Sequence, residues 1–597
     1  MYLSRIVVKN FRNFSNLDVS LKRNVVVVGE NGVGKSNLIY ALRLLFDPSL
    51  PDSSRQLGLS DFWDGIESPD EDDRIAVSVE IKEFDTDLNV LAVLTEYRLD
   101  DDAETVRLTY EFRPLAALGR SPESDADYEF VCYGGQSDTK RFGHDLRRRL
   151  ALELLPALRD VEGDLANWRR SPLRPLVERV FGGIPRSELD EVQEAIEAAT
   201  NRLGNFTAVR QLEGGLQDLF AAMSGPNHDI SPSLGFGGTD VNKLYRNVRL
   251  LIDQGRRFIG DASLGAANIA YLTLKTLELQ RLMDDNRRSY SLLAIEEPEA
   301  HLHPHLQRSV YRHFFEEIGN ETADERLSLL LTTHSPHIAS VAPLRSLLLL
   351  KQTGDGGTVG HSTAGANLSR DDEDDLARYL DVNRAEILFA RGIILVEGDA
   401  ERFLLPIFGK AMGYEFDQFG ISVCSVSGTN FLPYVKLLLA LDIPFSVITD
   451  WDPVEGRNAL GFNRAANLAA VIAAVREGVN RVAFNRELKA MGASDLSDRC
   501  EEYGVFTNNH TLEIDLFKCG FAVQVIETLR ESSWAERRAA WIDGWADDND
   551  TLDAENYLAL IELVGKGRFA QRLATRIVEM TPPGYIERAI EFVAQNV

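Results

Sequence analysis

At 597 residues the chain is too long for a single hydrophobic core, and length alone suggests roughly four domain-sized units. Its 44% apolar and 26% charged content is ordinary for a globular protein, and four scattered cysteines without a C-x-x-C pair exclude a zinc ribbon or a disulfide framework. A net charge of −28 opposes a polyanionic partner at long range, although local basic clusters and bound divalent metal can offset it, so composition leaves the partner open.

From the N-terminus, Tyr2 to Phe14 alternates apolar and polar residues, and Leu17 to Leu21 and Val25 to Val28 follow after short turns. This pattern predicts a strand meander rather than a signal peptide. No apolar run approaches the roughly 18 residues of a membrane-spanning helix, so a cytoplasmic protein with no membrane partner is expected. The meander feeds Gly29-Glu30-Asn31-Gly32-Val33-Gly34-Lys35-Ser36, which opens an amphipathic helix over Leu38 to Phe46. Strand, glycine-rich loop and helix N-terminus in that order make a phosphate cradle, because glycines let successive backbone N–H groups turn inward. Lys35 can reach the β- and γ-phosphates and the Ser36 hydroxyl can ligate Mg²⁺. Asn31, Gly32, Gly34 and Asn37 complete the predicted ATP-binding set.

Pro51 to Asp73 reads as a surface loop, and Ile75 to Ile81 and Val106 to Phe112 as antiparallel strands beside the nucleotide sheet. From about Leu146 to Leu251 the pattern becomes helical, broken at Pro156, Pro172, Pro185 and a loop over Gly225 to Gly238. Basic clusters at Arg147 to Arg149, at Arg169, Arg170, Arg174 and Arg179, and from Arg246 to Arg257 read as solvated faces or phosphate tracks. A helix follows over Ile269 to about Met283. The apolar strand Leu292 to Ile295 then ends in Glu296-Glu297-Pro298-Glu299, and Leu327 to Leu331 ends in Thr332-Thr333-His334-Ser335-Pro336. Carboxylates at the end of a buried strand are costly unless they hold metal or polarise water. Glu296 is the expected Mg²⁺-side carboxylate, Glu297 the residue that orients attacking water, and His334 the γ-phosphate sensor.

Gly354 to Asp375, rich in Gly, Ser, Thr and Asp, reads as a linker. Beyond it the apolar run Ile393 to Val396 ends in Glu397-Gly398-Asp399-Ala400-Glu401, and Phe445 to Ile448 ends in Asp450-Trp451-Asp452. Ligands bind at the C-terminal ends of parallel strands in open α/β sheets. Glu397, Asp450 and Asp452 repel one another unless a divalent cation sits among them, and oxygen ligands suit Mg²⁺ or Mn²⁺. Glu401 and Glu513 extend the metal set, Lys566 supplies a cation for transition-state charge, and Asp399 can cap the helix that starts near Glu401.

Asn10-Phe11-Arg12-Asn13-Phe14, the phosphate loop, Ser263-Leu264-Gly265-Ala266-Ala267-Asn268, Glu-Glu-Pro-Glu and Thr-His-Ser-Pro together resemble the ABC-type ATPases of the RecF/SMC group. The resemblance implies two heads closing over two ATP molecules, with Ser263 and Gly265 touching the γ-phosphate bound by a second copy. Two departures stand out: a loose signature segment, and Glu296 where most such ATPases carry Asp. The Glu followed by D-x-D resembles a Toprim domain. The combination is similar to the OLD (overcoming lysogenization defect) family nucleases, more the helicase-associated class than the stand-alone one.

That resemblance implies an α/β protein: an ABC-type, RecF/SMC-like ATPase head with a helical insertion, followed by an α/β Toprim domain with additional helices. The expected boundaries are 1–155 and 251–370 for the ATPase halves, 156–250 for a dimerising insertion, and 385–597 for the Toprim nuclease. It also implies a homodimer, ATP with Mg²⁺ and Glu297 as the catalytic residue of the ATPase, a two-metal Mg²⁺ or Mn²⁺ site with Asp450 and Lys566 as catalytic residues, DNA as substrate and a possible helicase partner. Antiphage defence or DNA repair is the implied setting. The competing readings are a DNA-handling ATPase whose Toprim fold binds without cutting, and a topoisomerase or primase.

Overall fold

The computed structural model describes the whole chain except residues 86–87, 158–159, 225–231, 235–244, 247, 253–255, 260–261, 320–325, 355, 380–383 and 454–458. Most of the expected loop over Gly225 to Gly238, residue Asp261 and parts of the Arg246 to Arg257 cluster therefore lie outside the described residues. The chain divides into two compact units. The first comprises residues 1–157, 288–299 and 303–597, and the second comprises residues 158–287 and 300–302.

In the first unit, β1 (Tyr2–Phe11), β2 (Phe14–Ser20), β4 (Ile75–Lys82), β5 (Val106–Pro114) and β6 (Tyr128–Gly134) form an antiparallel sheet in the order β2-β1-β4-β5-β6. Inward residues alternate with outward ones along β4, as a sheet with one buried face requires. A second sheet is built from β3 (Val25–Val28), β7 (Leu150–Leu155), β10 (Tyr290–Glu296), β11 (Leu327–Thr332), β12 (Leu347–Gln352) and β13 (Thr358–Ser362), in the order β13-β12-β3-β11-β10-β7. Its core strands are parallel, and all four valines of β3 are buried, as expected for a strand covered on both faces. The third sheet joins β14 (Gly392–Val396), β15 (Ile421–Ser425), β16 (Phe445–Thr449) and β17 (Val505–Thr507), all parallel, in the order β15-β14-β16-β17.

The second unit contains a helical hairpin, Arg186–Gly204 and Thr207–Ser224, the two-residue strands β8 (Leu251–Ile252) and β9 (Arg257–Phe258), and the helix Leu264–Asp284. Its small core gathers Val161, Leu165, Leu176, Ile259, Ala267 and Leu274.

Three local expectations are corrected. Leu150–Leu155, expected within a helical stretch, is a strand paired in parallel with β10 from Tyr290↔Leu150 to Ile295↔Leu155. The expected linker Gly354 to Asp375 contains β13, hydrogen-bonded antiparallel to β12, and then the first residues of the helix Arg370–Tyr379. Asp399 caps nothing: Gly398 is the N-cap of the helix Asp399–Ala411, with no side-chain cap bond. Among the described residues no helix is long and apolar enough to cross a membrane.

Candidate active sites

The phosphate loop leaves β3 and enters the helix Lys35–Phe46 through Gly34, whose φ of 96° is left-handed. A Cβ there would also stand 2.0 Å from Asn13 Nδ2, so only glycine fits. Asn13 Nδ2 donates to Val33 O (2.9 Å) and to Thr358 Oγ1 (2.8 Å), and Asn37 Nδ2 donates to Asn13 Oδ1 (2.6 Å). Arg12 donates to Asn37 Oδ1 (2.9 Å) and to Asp61 (2.9 Å), with its guanidinium over the rings of Phe11 and Tyr40. The Asn-Phe-Arg-Asn-Phe turn thus braces the loop from outside.

Lys35 is buried, and its ammonium donates to Gly29 O and Glu30 O, each at 2.8 Å. Burial lowers its pKa to about 8 against the opposing pull of Glu297, Glu299 and Glu30. Glu296 ends β10 opposite Thr332, and Glu297 follows in a left-handed conformation (φ 42°) with its N–H on Thr332 O at 2.9 Å. His334 Nε2 lies 3.6 Å from Glu297 Oε1, and burial first, then Lys35, lowers the His334 pKa. Lys35, Glu297 and His334 therefore form one cluster. Sequence reasoning gave Glu299 no role, yet it accepts from Thr333 Oγ1 (2.9 Å) and His334 N (2.7 Å), tying the two acidic and histidine turns together. Ser263 and Gly265 fall in the second unit. There Ser263 caps the helix Leu264–Asp284, and a Cβ on Gly265 would meet His301 O at 2.8 Å.

The second site lies at the C-terminal edge of the β15-β14-β16-β17 sheet. Glu397 follows β14, Asp450 and Asp452 follow β16, and Glu401 is buried in the first turn of the helix Asp399–Ala411. Glu513 is buried in the helix Leu512–Leu516 after β17, and Lys566 opens the helix Lys566–Ala574 with its ammonium 3.3 Å from Glu513 Oε1. Electrostatics tie them together. Burial above all, then Glu513 and Glu397, pushes Glu401 up to about 7; burial, Glu397 and Glu401 push Asp450 up to about 8. Two carboxyls that resist ionisation among three others are short of cations, and every donor is oxygen, so the set fits a hard divalent ion.

Two residues here had no signal in the sequence. Arg464, on the helix Leu460–Arg476, donates through Nε to Thr449 Oγ1 and through Nη2 to Asp450 O, both at 2.6 Å. The same nitrogen lies 2.9 Å from Glu397 Oε1 and 3.4 Å from Asp452 Oδ2. Asn508 donates to Asp450 Oδ1 and accepts from Trp451 N at 2.7 Å. Glu397 Oε1 also accepts from Thr449 Oγ1 (2.6 Å) and Asp450 N (2.9 Å). Gly461 lets the helix press on this turn, since a Cβ would stand 2.3 Å from Asp450 O. Held by these partners, no three His, Cys, Asp or Glu side chains among the described residues are posed as a closed metal-binding set.

Residues 25–340, more than half of the chain, match the family model "AAA domain, putative AbiEii toxin, Type IV TA system". Residues 388–452 match "Overcoming lysogenization defect protein-like, TOPRIM domain". The chain is 26% identical to the OLD nuclease of Thermus scotoductus, over 76% of this chain and 83% of that protein. It is 21% identical to endonuclease GajA of Bacillus cereus, over 78% and 79% of the two chains. Among solved structures it is similar to the C-terminal region of the Burkholderia pseudomallei OLD protein, with 42% identity over 35% of this chain and 98% of that one (TM-score 0.31). The chain belongs to the OLD family, with an AAA-type ATPase domain interrupted by a helical insertion and a Toprim domain following it in sequence.

Proposed function

We propose that the chain is a divalent-metal-dependent DNA endonuclease that also binds and hydrolyses ATP. The observation that carries this reading is the crowd of five carboxylates at one sheet edge, two of them driven to about 7 and about 8 by burial and by neighbouring carboxylates of the set. The names of the relatives, OLD nuclease and endonuclease GajA, support the same chemistry. Glu397, Glu401, Asp450, Asp452 and Glu513 hold Mg²⁺ or Mn²⁺. Bound there, divalent metal would supply an activated water and charge neutralisation at the leaving oxygen. Water attacks phosphorus, the P–O3′ bond breaks, and the departing oxygen takes a proton, leaving a 3′-hydroxyl and a 5′-phosphate. Lys566 faces the charge that accumulates on the phosphate, Arg464 fixes Glu397 and Asp452, and Asn508 fixes Asp450.

At the other site Lys35, Ser36 and the loop amides would hold the ATP phosphates and Glu296 the accompanying Mg²⁺, while Glu297 would orient water and His334 would meet the γ-phosphate. The reading includes a homodimer in which Ser263 and Gly265 reach the nucleotide of a second copy. Exposed Leu212, Leu216, Leu219 and Met223 on the helix Thr207–Ser224 support the pairing. The test is nicking of supercoiled plasmid in Mg²⁺ or Mn²⁺, with and without ATP. Metal-dependent nicking lost in Asp450→Ala is expected. No cutting with either metal, with ATPase activity intact, overturns the nuclease reading in favour of a DNA-handling ATPase.

A further inference from the structure

Beside the carboxylate site the first turns of two helices lie against each other. A methyl group placed on Gly567 would stand 3.6 Å from the Asp399 Cβ and 3.7 Å from the Phe403 ring. This contact brings together Arg402 and Phe403 from the helix Asp399–Ala411 with Lys566 and Arg568 from the helix Lys566–Ala574. Phe403 is 43% exposed, a costly position for a large apolar ring in water. Arg402 and Arg568 are exposed and form no ion pair among the described residues, in a chain of net charge −28. Lys566 links the patch to the carboxylates through Glu513. Cations flanking a bare aromatic face fit a nucleic-acid strand, whose phosphates pair with arginine while an unstacked base lies on the ring. They do not suit an acidic protein segment, which would leave the ring without a planar partner.

We propose that this lip seats the DNA strand being cut, with Arg402 and Arg568 on its phosphates and Phe403 stacked on one base beside the scissile bond. The substrate is then DNA with an unpaired or extrudable nucleotide at the cleavage point. The inference rests on the nuclease reading. Base extrusion costs unstacking energy, which an already unpaired nucleotide avoids.

The test uses the full-length protein with Mn²⁺ and two duplexes, one fully paired and one with a single bulged nucleotide at the bond that the wild-type protein cuts. Wild type is expected to show a KM about tenfold lower for the bulged duplex, the scale of one base–aromatic contact. Phe403→Ala removes that preference, whereas Phe403→Trp retains it. Arg402→Gln and Arg568→Gln raise KM for both duplexes alike and each lowers the salt slope by about one. Thermal melts equal to wild type, read by circular dichroism, report that each variant is folded.

If Phe403→Ala keeps the bulge preference, or wild type has none, the lip assignment is overturned while the nuclease reading stands. If wild type cuts neither duplex, the nuclease reading falls, and fluorescence anisotropy of the same duplexes decides the lip. A bulge preference in binding that vanishes in Phe403→Ala supports it, and equal binding overturns it.

Discussion

Asp450 and Glu401 carry the strongest electrostatic signature of the Toprim site. Their folded-state pKa values of about 8 and about 7 lie above the ordinary 3.8 and 4.5, so between these limits the folded protein holds protons that the unfolded chain has lost. Without metal, the stability that these two carboxyls contribute is therefore full below about pH 4 and is lost as pH rises to about 7 to 8. Asp450→Asn should flatten that decline and stabilise the metal-free protein at pH 8 by on the order of 2 kcal/mol. Thermal melts in a chelator across pH 5 to 8.5 check this, and unchanged pH dependence would refute it. Divalent ions must displace the same protons, so Mn²⁺ affinity should rise between pH 6 and 8, a trend calorimetry would detect. Asn508→Ala strands the Trp451 N–H and one Asp450 oxygen and should cost about 1–3 kcal/mol in a denaturant titration. The acids were legible because Glu397 and Asp450 directly follow apolar strand runs. Arg464 and Asn508 were not: their partners are 12 to 67 residues away, and no spacing rule links an arginine inside a helix to a neighbouring strand end.

At the scale of elements, strand–loop–helix logic located the phosphate loop because glycine chemistry and both flanking periodicities agree there. It misread Leu150–Leu155, whose leucines suit either a helix or a strand; only pairing with β10 decides. It also misread 358–362, because Gly, Ser and Thr that suggest a linker also suit an edge strand, here sealed against β12. Lys35→Ala should weaken ATP binding by roughly 100-fold or more, the equivalent of about 2.7 kcal/mol. Glu297→Gln should keep binding and slow hydrolysis by about 10²-fold or more. Equilibrium binding and phosphate release separate the two, and unchanged rates in both variants would overturn the nucleotide site. Since the charged amine binds phosphate, ATP affinity should also decline above pH 8, where Lys35 in the empty site loses its proton.

Across the whole molecule, one buried cluster of the Toprim half runs from Ile394 to Val593 and draws on no residue of the other sheets. Residues 385–597 should therefore fold alone and bind Mn²⁺, with a cooperative melt that the metal shifts upward. A non-cooperative melt would show that the core needs the ATPase. The phosphate loop nevertheless touches that half directly, since Arg391, one residue before β14, holds both Glu30 oxygens at 2.6 and 2.8 Å. Exposed on both sides, this pair adds under about 1 kcal/mol of stability.

The strand order β12-β3-β11 has a kinetic consequence. β3 ends at Val28, and its two neighbours begin at Leu327 and Leu347, roughly 300 residues later in synthesis. At about 5–20 residues per second, the four buried valines wait on the order of 15–60 s on the ribosome for their partners. A nascent chain arrested before residue 327 should thus expose these valines to chaperones, while the Toprim strands, drawn from within Gly392 to Thr507, wait far less for their partners.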